Sequence, residues 1–124
     1  MEKEFVPYEL AVKLKELGFD EPCMAVYFGN GENELFTFNP AIAKENTERM
    51  VELGHIPCPT YSQAFGWFRE KYDINNCISY SRLEDNNWYY QYYKSGLDGG
   101  FETYEEAELA CLEKLIELVE QKEK

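Results

Sequence analysis

No apolar run in this sequence approaches the ~18 residues that a membrane-spanning helix requires, so such a helix is excluded. Cysteine is scattered: Cys23, Cys58, Cys77 and Cys111 stand far apart, and no Cys-x-x-Cys pair occurs. Histidine is rarer still. His55 is the single one, and His55-x-x-Cys58 is the one close His/Cys pairing. A structural zinc site takes about four ligands, and no second pair is there to complete it. No metal and no cofactor is therefore expected. A Cys–His catalytic dyad is open in principle, although the partners of such dyads usually stand far apart in sequence. Basic residues are also few, twelve Lys and Arg against twenty-four Asp and Glu, for a formal charge of −12. Such a field repels phosphate backbones and anionic membrane surfaces. Lys13, Lys15, Arg69, Lys71 and Arg82 are spread out rather than clustered, so neither nucleic acid nor membrane is an expected partner. The start, Met1 to Leu10, shows no basic segment followed by a long apolar one, the pattern of a signal peptide. The expected location is the cytoplasm, where a reducing environment leaves the four cysteines as buried free thiols.

Aromatic side chains are plentiful: ten Tyr, eight Phe and two Trp in 124 residues. They bring large buried areas, and tyrosine keeps a polar tip for a wet boundary. A disordered tail would be poor in them. The length fits one domain, residues 1–124, hiding roughly two thirds of its unfolded surface.

One helix-starting signature occurs three times. Pro7-Tyr8-Glu9-Leu10-Ala11, Thr60-Tyr61-Ser62-Gln63-Ala64 and Thr103-Tyr104-Glu105-Glu106-Ala107 share the pattern [Pro/Thr]-Tyr-x-x-Ala. Pro7 suits a first helical position, and Thr60 with Gln63 and Thr103 with Glu106 read as capping boxes. The first helix is predicted from Pro7 to Leu17, with Leu10, Leu14 and Leu17 on one face. Gly18 stops it, and Phe19 can fold back on the last turn. The second is predicted from Tyr61 to Tyr72 with Phe65, Phe68 and Tyr72 on one face. The third runs from Tyr104 to Glu120, with fraying beyond it. Its stripes Ala107, Cys111, Leu115, Leu118 and Leu109, Leu112, Ile116, Val119 together cover more than half of the helix, too broad for packing on a sheet alone. A second helix or another subunit is the expected further contact.

Strand pairs lie between the helices. Cys23 to Phe28 and Glu34 to Phe38 flank Gly29-Asn30-Gly31-Glu32-Asn33, while Cys77 to Ser81 and Trp88 to Lys94 flank Arg82 to Asn87. A shift of 53 positions lays Tyr8 on Tyr61, Ala11 on Ala64, Asp20 on Asp73, Tyr27 on Tyr80 and Asn33 on Asn86. This reads as two helix-hairpin units and a closing helix. Ala41 to Leu53 fits either a short helix or a surface excursion, and the prolines make His55 to Pro59 extended. The expected fold is α+β: a two-layer sandwich with an antiparallel sheet of about four strands and three main helices on one face. Its order is helix, hairpin, excursion, helix, hairpin, helix.

Candidate chemistry is sparse. In Trp88-Tyr89-Tyr90-Gln91-Tyr92-Tyr93 the period-two geometry of a strand sends Trp88, Tyr90 and Tyr92 one way and Tyr89 and Tyr93 the other. Trp88, Tyr90 and Tyr92 are the candidate ligand-binding residues, able to stack a nucleotide-like molecule. The structural alternative puts one set under the helices and leaves the other as cross-strand pairs. Phe28-Gly29-Asn30-Gly31 follows a strand but lacks the Gly-Lys-[Ser/Thr] ending of a phosphate loop, so a hairpin turn accounts for it. Gly96-Leu97-Asp98-Gly99-Gly100 reads as a sharp turn or a mobile lid. Glu105, Glu106, Glu113, Glu117 and Glu120 form either a solvated helix face or an imitation of nucleic-acid phosphates. No catalytic constellation stands out, and the chain is not expected to be an enzyme. An enzyme using His55 or carboxylates without a known motif is the least favoured reading.

The segments Phe5-Val6-Pro7-Tyr8-Glu9, Lys15 through Cys23, Ala64 through Tyr72 and Thr103 through Leu112 resemble a family of small, uncharacterised acidic proteins of Bacteroidota and their phages and mobile elements. The resemblance leaves out Asn39 to Pro57 and implies no activity. It implies a setting: an accessory protein of a mobile element in a bacterial cell. With the acidity and size, it favours a non-catalytic binding protein that meets a protein partner or a second copy of itself, such as an inhibitor of a host protein. The other reading is a protein that sequesters a small nucleotide-like ligand on the Tyr-rich hairpin.

Overall fold

The computed structural model describes residues 4–27, 35–37, 41, 43–81, 87–92 and 98–122. The turn residues 28–34 and 82–86, with Tyr93, Lys94, Gly96 and Leu97, lie outside the described residues, so the hairpin-turn, phosphate-loop and lid readings there are not addressed. The fold is α+β. The chain divides into two compact units, Met1–Ser62 and Gln63–Lys124. The expected single sheet of about four strands is replaced, among the described residues, by two antiparallel sheets of three strands each.

The first unit begins with α1, Tyr8–Glu16. Pro7 is its N-cap in extended conformation rather than its first helical residue. The carbonyl of Pro7 takes the amides of Leu10 and Ala11, at 3.1 and 2.9 Å. The helix ends as its sequence predicts. Gly18 sits at φ 102°, its amide bonds the Lys15 carbonyl at 3.0 Å, and the Phe19 amide reaches back to Leu14 at 2.9 Å. That is a Schellman motif, and it turns the buried ring of Phe19 onto the helix.

Strand β1, Ala25–Tyr27, is buried throughout and central, between β2, Leu35–Thr37, and β3, Ile56–Cys58. The extended segment after His55 thus becomes a strand, with Ala25 facing Cys58 and Tyr27 facing Ile56. Between β2 and β3 lies α2, Ala43–Glu52, so the helical alternative for this stretch is the one realised. Gly54, at φ 90°, closes α2 as Gly18 closes α1: its amide bonds Val51 at 3.0 Å and the His55 amide bonds Met50 at 2.9 Å.

One buried hydroxyl fastens α2 to the rest of the unit. Thr47 is 4 % exposed; its Oγ1 donates to the Ala43 carbonyl at 2.6 Å and accepts the Cys23 amide at 2.9 Å. A second fastening gathers on the Val6 carbonyl, which accepts the Tyr27 hydroxyl at 2.8 Å and the Cys58 thiol at 3.2 Å. Tyr8, the first residue of α1, meets the ring of Tyr27 edge to face at 5.4 Å.

Helix α3, Tyr61–Tyr72, carries buried Phe65, Trp67 and Phe68. It leaves its last turn through Asp73 at φ 56°, a left-handed conformation that short polar side chains tolerate best after glycine. In the second unit β4, Asn76–Ser81, pairs with β5, Asn87–Tyr92, and β5 with β6, Asp98–Phe101. The glycine-rich segment read as a turn or lid thus has a strand in its second half. There the register slips between Trp88 and Tyr89. Gly99 is required at that bulge: a Cβ on it would stand 2.8 Å from the Phe101 ring and 2.9 Å from the Trp88 carbonyl oxygen. The closing helix α4, Tyr104–Lys122, outruns its predicted end by two residues. The Thr103 hydroxyl accepts the Glu106 amide at 3.1 Å, the cap that the sequence calls for. Leu112, Leu115, Ile116 and Val119 are buried on α4, which packs on β4, β5 and β6.

All three signature tyrosines are first residues of helices. The two α-β-β stretches also match, but the sheets do not. The third strand joins β1 in one unit and β5, which corresponds to β2, in the other.

Candidate binding surface

The register of the second sheet decides which aromatic side chains are covered. Tyr80 faces Trp88, Ile78 faces Tyr90 and Asn76 faces Tyr92, and directly opposed residues share a side of the sheet. That side is the one against α4. Asn76 Nδ2 donates to Cys111 Sγ at 3.7 Å, and the Trp88 ring meets Tyr104 edge to face at 5.3 Å. Trp88, Tyr90 and Tyr92 are therefore brought together as expected, on the helix-facing side.

Within the set the three residues differ. Tyr90 is only 6 % exposed, with its ring stacked between Tyr92 at 6.4 Å and Phe101 at 6.2 Å. Its hydroxyl donates to Asp98 Oδ2 at 3.0 Å. Burial, and then the Asp98 carboxylate that accepts this proton, push the phenol well above its usual range. Tyr90 is a core residue with a satisfied polar tip. Trp88 and Tyr92 are half-buried.

At the end of the sheet near Tyr104 the rings reach the surface. Tyr80 is 44 % exposed and Tyr104 41 % exposed. Trp88 stands between them, 5.0 Å from Tyr80 and 5.3 Å from Tyr104. The three rings form one continuous aromatic strip. Carboxylates act on its Tyr104 end, Glu108 and then Glu105, and Glu102, Glu105 and Glu106 are exposed in the chain around Tyr104. Burial first, and then the charge of Glu108 with the hydrogen bond it accepts, raise the Tyr104 phenol. Carboxylates in the first helical turn are also favoured by the helix dipole, so their presence is explained by α4 itself. What the fold adds is the Tyr104 ring, held near Glu105 and Glu108 and set against Trp88. Tyr80 and Tyr104 were not among the sequence candidates. Tyr104 read as a helix start, and only the cross-strand register sets Tyr80 against Trp88.

The thiols are of two kinds. Cys23, Cys58 and Cys111 are buried and free, and Cys77 is exposed and free. Burial raises all three buried thiols, Cys58 and Cys111 to about 12. A thiol nucleophile needs the opposite shift. Cys58 spends its proton on the Val6 carbonyl, and His55, three residues earlier, caps α2 through its amide. Among the described residues no three His, Cys, Asp or Glu side chains are placed to hold a metal ion, and no buried side-chain nitrogen or oxygen is unsatisfied. No described helix is long and apolar enough to cross a membrane.

Compared with known protein families, curated proteins and solved structures, the chain matches none.

Proposed function

We propose that this is a non-catalytic binding protein, an accessory factor of a phage or mobile element that occupies an arginine-bearing surface of a host protein. The observation that carries the reading is the Tyr80–Trp88–Tyr104 strip, exposed at both ends, with the carboxylates of Glu108 and Glu105 acting on its Tyr104 end. Guanidinium groups stack flat on aromatic faces and pair with carboxylates through a planar fork, whereas a lysine ammonium makes its cation–π contacts and ion pairs as a compact, more strongly hydrated point charge without that fork. The formal charge of −12 brings a basic partner to this surface faster and holds off nucleic acid. The buried thiols support binding over chemistry, since burial favours their unreactive protonated form.

The test compares arginine-rich and lysine-rich peptides of equal length and charge, titrated against the whole protein and followed by tryptophan fluorescence and amide chemical shifts. The arginine peptide is expected to bind several-fold tighter, with shifts centred on Tyr80, Trp88 and Tyr104. Tyr80→Ala with Tyr104→Ala should erase that preference. Equal binding of both peptides, unchanged by the double substitution, would reduce the surface to generic charge attraction and overturn the proposal.

A further inference from the structure

The first unit holds a cleft of about 390 Å³, bounded by the end of α1, the segment after it, α2 and β3. This volume lies in the range of small-molecule sites, roughly 300–1,000 Å³. Its base is apolar: Phe19 and Pro57 are buried, and Val51 is partly exposed beside them. Its rim is anionic. Asp20 stands on the α1 side, while Glu48 and Glu52 stand one turn apart on α2, against the single cation Lys15. Among the described residues neither the three carboxylates nor the Lys15 ammonium has a hydrogen-bond or ion-pair partner. The Thr47 hydroxyl, which also lines the cleft, is already engaged with Cys23 and Ala43.

The parts are complementary to one class of molecule. Carboxylates four residues apart on a helix are neighbours, about 5–6 Å between their Cβ atoms, and Asp20 adds a third to the same lining from the segment after α1. A ligand that fits must carry separated positive charges joined by a flexible apolar chain. An inorganic cation has no use for Phe19, Val51 and Pro57, and an anion meets three like charges. We propose that this cleft binds an aliphatic polyamine, with its ammonium groups against Asp20 and the Glu48–Glu52 pair and its methylenes over Phe19 and Val51.

The experiment titrates the full chain with spermidine and, separately, with magnesium chloride at matched ionic strength, reading amide chemical shifts. Spermidine is expected to give a saturable one-to-one response centred on Phe19, Asp20, Thr47 and Val51, and magnesium not to. Glu48→Gln with Glu52→Gln removes exposed carboxylates, leaves the fold in place, and should weaken spermidine about tenfold through lost charge-assisted contacts. Glu105→Gln with Glu106→Gln removes the same charge from the second unit and should leave the affinity unchanged. Shifts spread over every acidic face, an equal response to magnesium, or equal effects of the two double substitutions would each overturn the proposal.

Discussion

Valine has nearly the shape of threonine, so Thr47→Val exchanges one buried hydroxyl for a methyl and changes little else. The hydroxyl has three neighbours: the Ala43 carbonyl at 2.6 Å, the Cys23 carbonyl at 3.1 Å and the Cys23 amide at 2.9 Å. Their losses are unequal. The Ala43 carbonyl lies one helical turn back, and its intrahelical amide bond survives. The Cys23 amide has no such reserve: Cys23 is 1 % exposed and lies outside the strands. An orphaned buried donor costs about 1–3 kcal/mol, and burying the new methyl returns about 0.8 kcal/mol. The net expectation is a loss of up to about 2 kcal/mol, or as much as roughly 8 °C in Tm for a chain of this size. Urea denaturation gives the energy, and amide hydrogen exchange gives the cause, since protection should fall most at Cys23. Thr47→Ser keeps the hydroxyl and loses a buried methyl. It should cost about 0.8 kcal/mol and leave the Cys23 amide protected. A Thr47→Val protein as stable as the parent, with Cys23 still protected, would refute the latch.

The left-handed positions make opposite predictions. Gly18→Ala, at φ 102°, should cost about 1 kcal/mol or more, whereas Asp73→Gly, at φ 56°, should gain up to about 1 kcal/mol. Both are read as shifts in urea midpoint at constant m-value. In the native protein a thiol reagent near neutral pH should modify Cys77 rapidly and Cys23, Cys58 and Cys111 only upon unfolding, as peptide mass mapping would show. Stability should fall with rising pH above the ordinary thiol value of 9.0 and go on falling to about 12. In that window the unfolded chain has released protons that the folded chain keeps at Cys58 and Cys111, so alkali favours unfolding. Tyr90, raised by burial and Asp98, adds to the loss above 10.0. Denaturation midpoints between pH 8 and pH 11 that did not decline would contradict the burial of these groups.

Much of the local structure was legible. The three Tyr-x-x-Ala starts, the Thr103 cap and the Gly18 stop all stand where the sequence puts them. Helix α2 was only half legible, because its polar composition masks its buried residues, Ala43 and Thr47. The pairing of Leu53 with Gly54, the same stop signal as Leu17 with Gly18, was the available clue. Sheet membership was hardly legible. Nothing in Ile56–Cys58 announces β1 as its partner, and Asp98–Phe101 looks like a turn until Gly99 is seen against the Trp88 carbonyl and the Phe101 ring.

The division has a physical basis. A helix start or stop is satisfied by bonds that reach three to five residues, so its chemistry is written within a single short word of sequence. A sheet is closed by residues farther apart, as Ala25 and Cys58 are in the first sheet, and its two sides are equivalent until something packs on one of them. The sequence alone therefore determined where α1, α3 and α4 begin, the stop of α1 at Gly18, the two hairpins and the anionic character of the chain. Only the tertiary structure decided that the strands form two sheets, that Tyr90 lies beneath α4, and that Tyr80 and Tyr104 complete the accessible aromatic strip with Trp88.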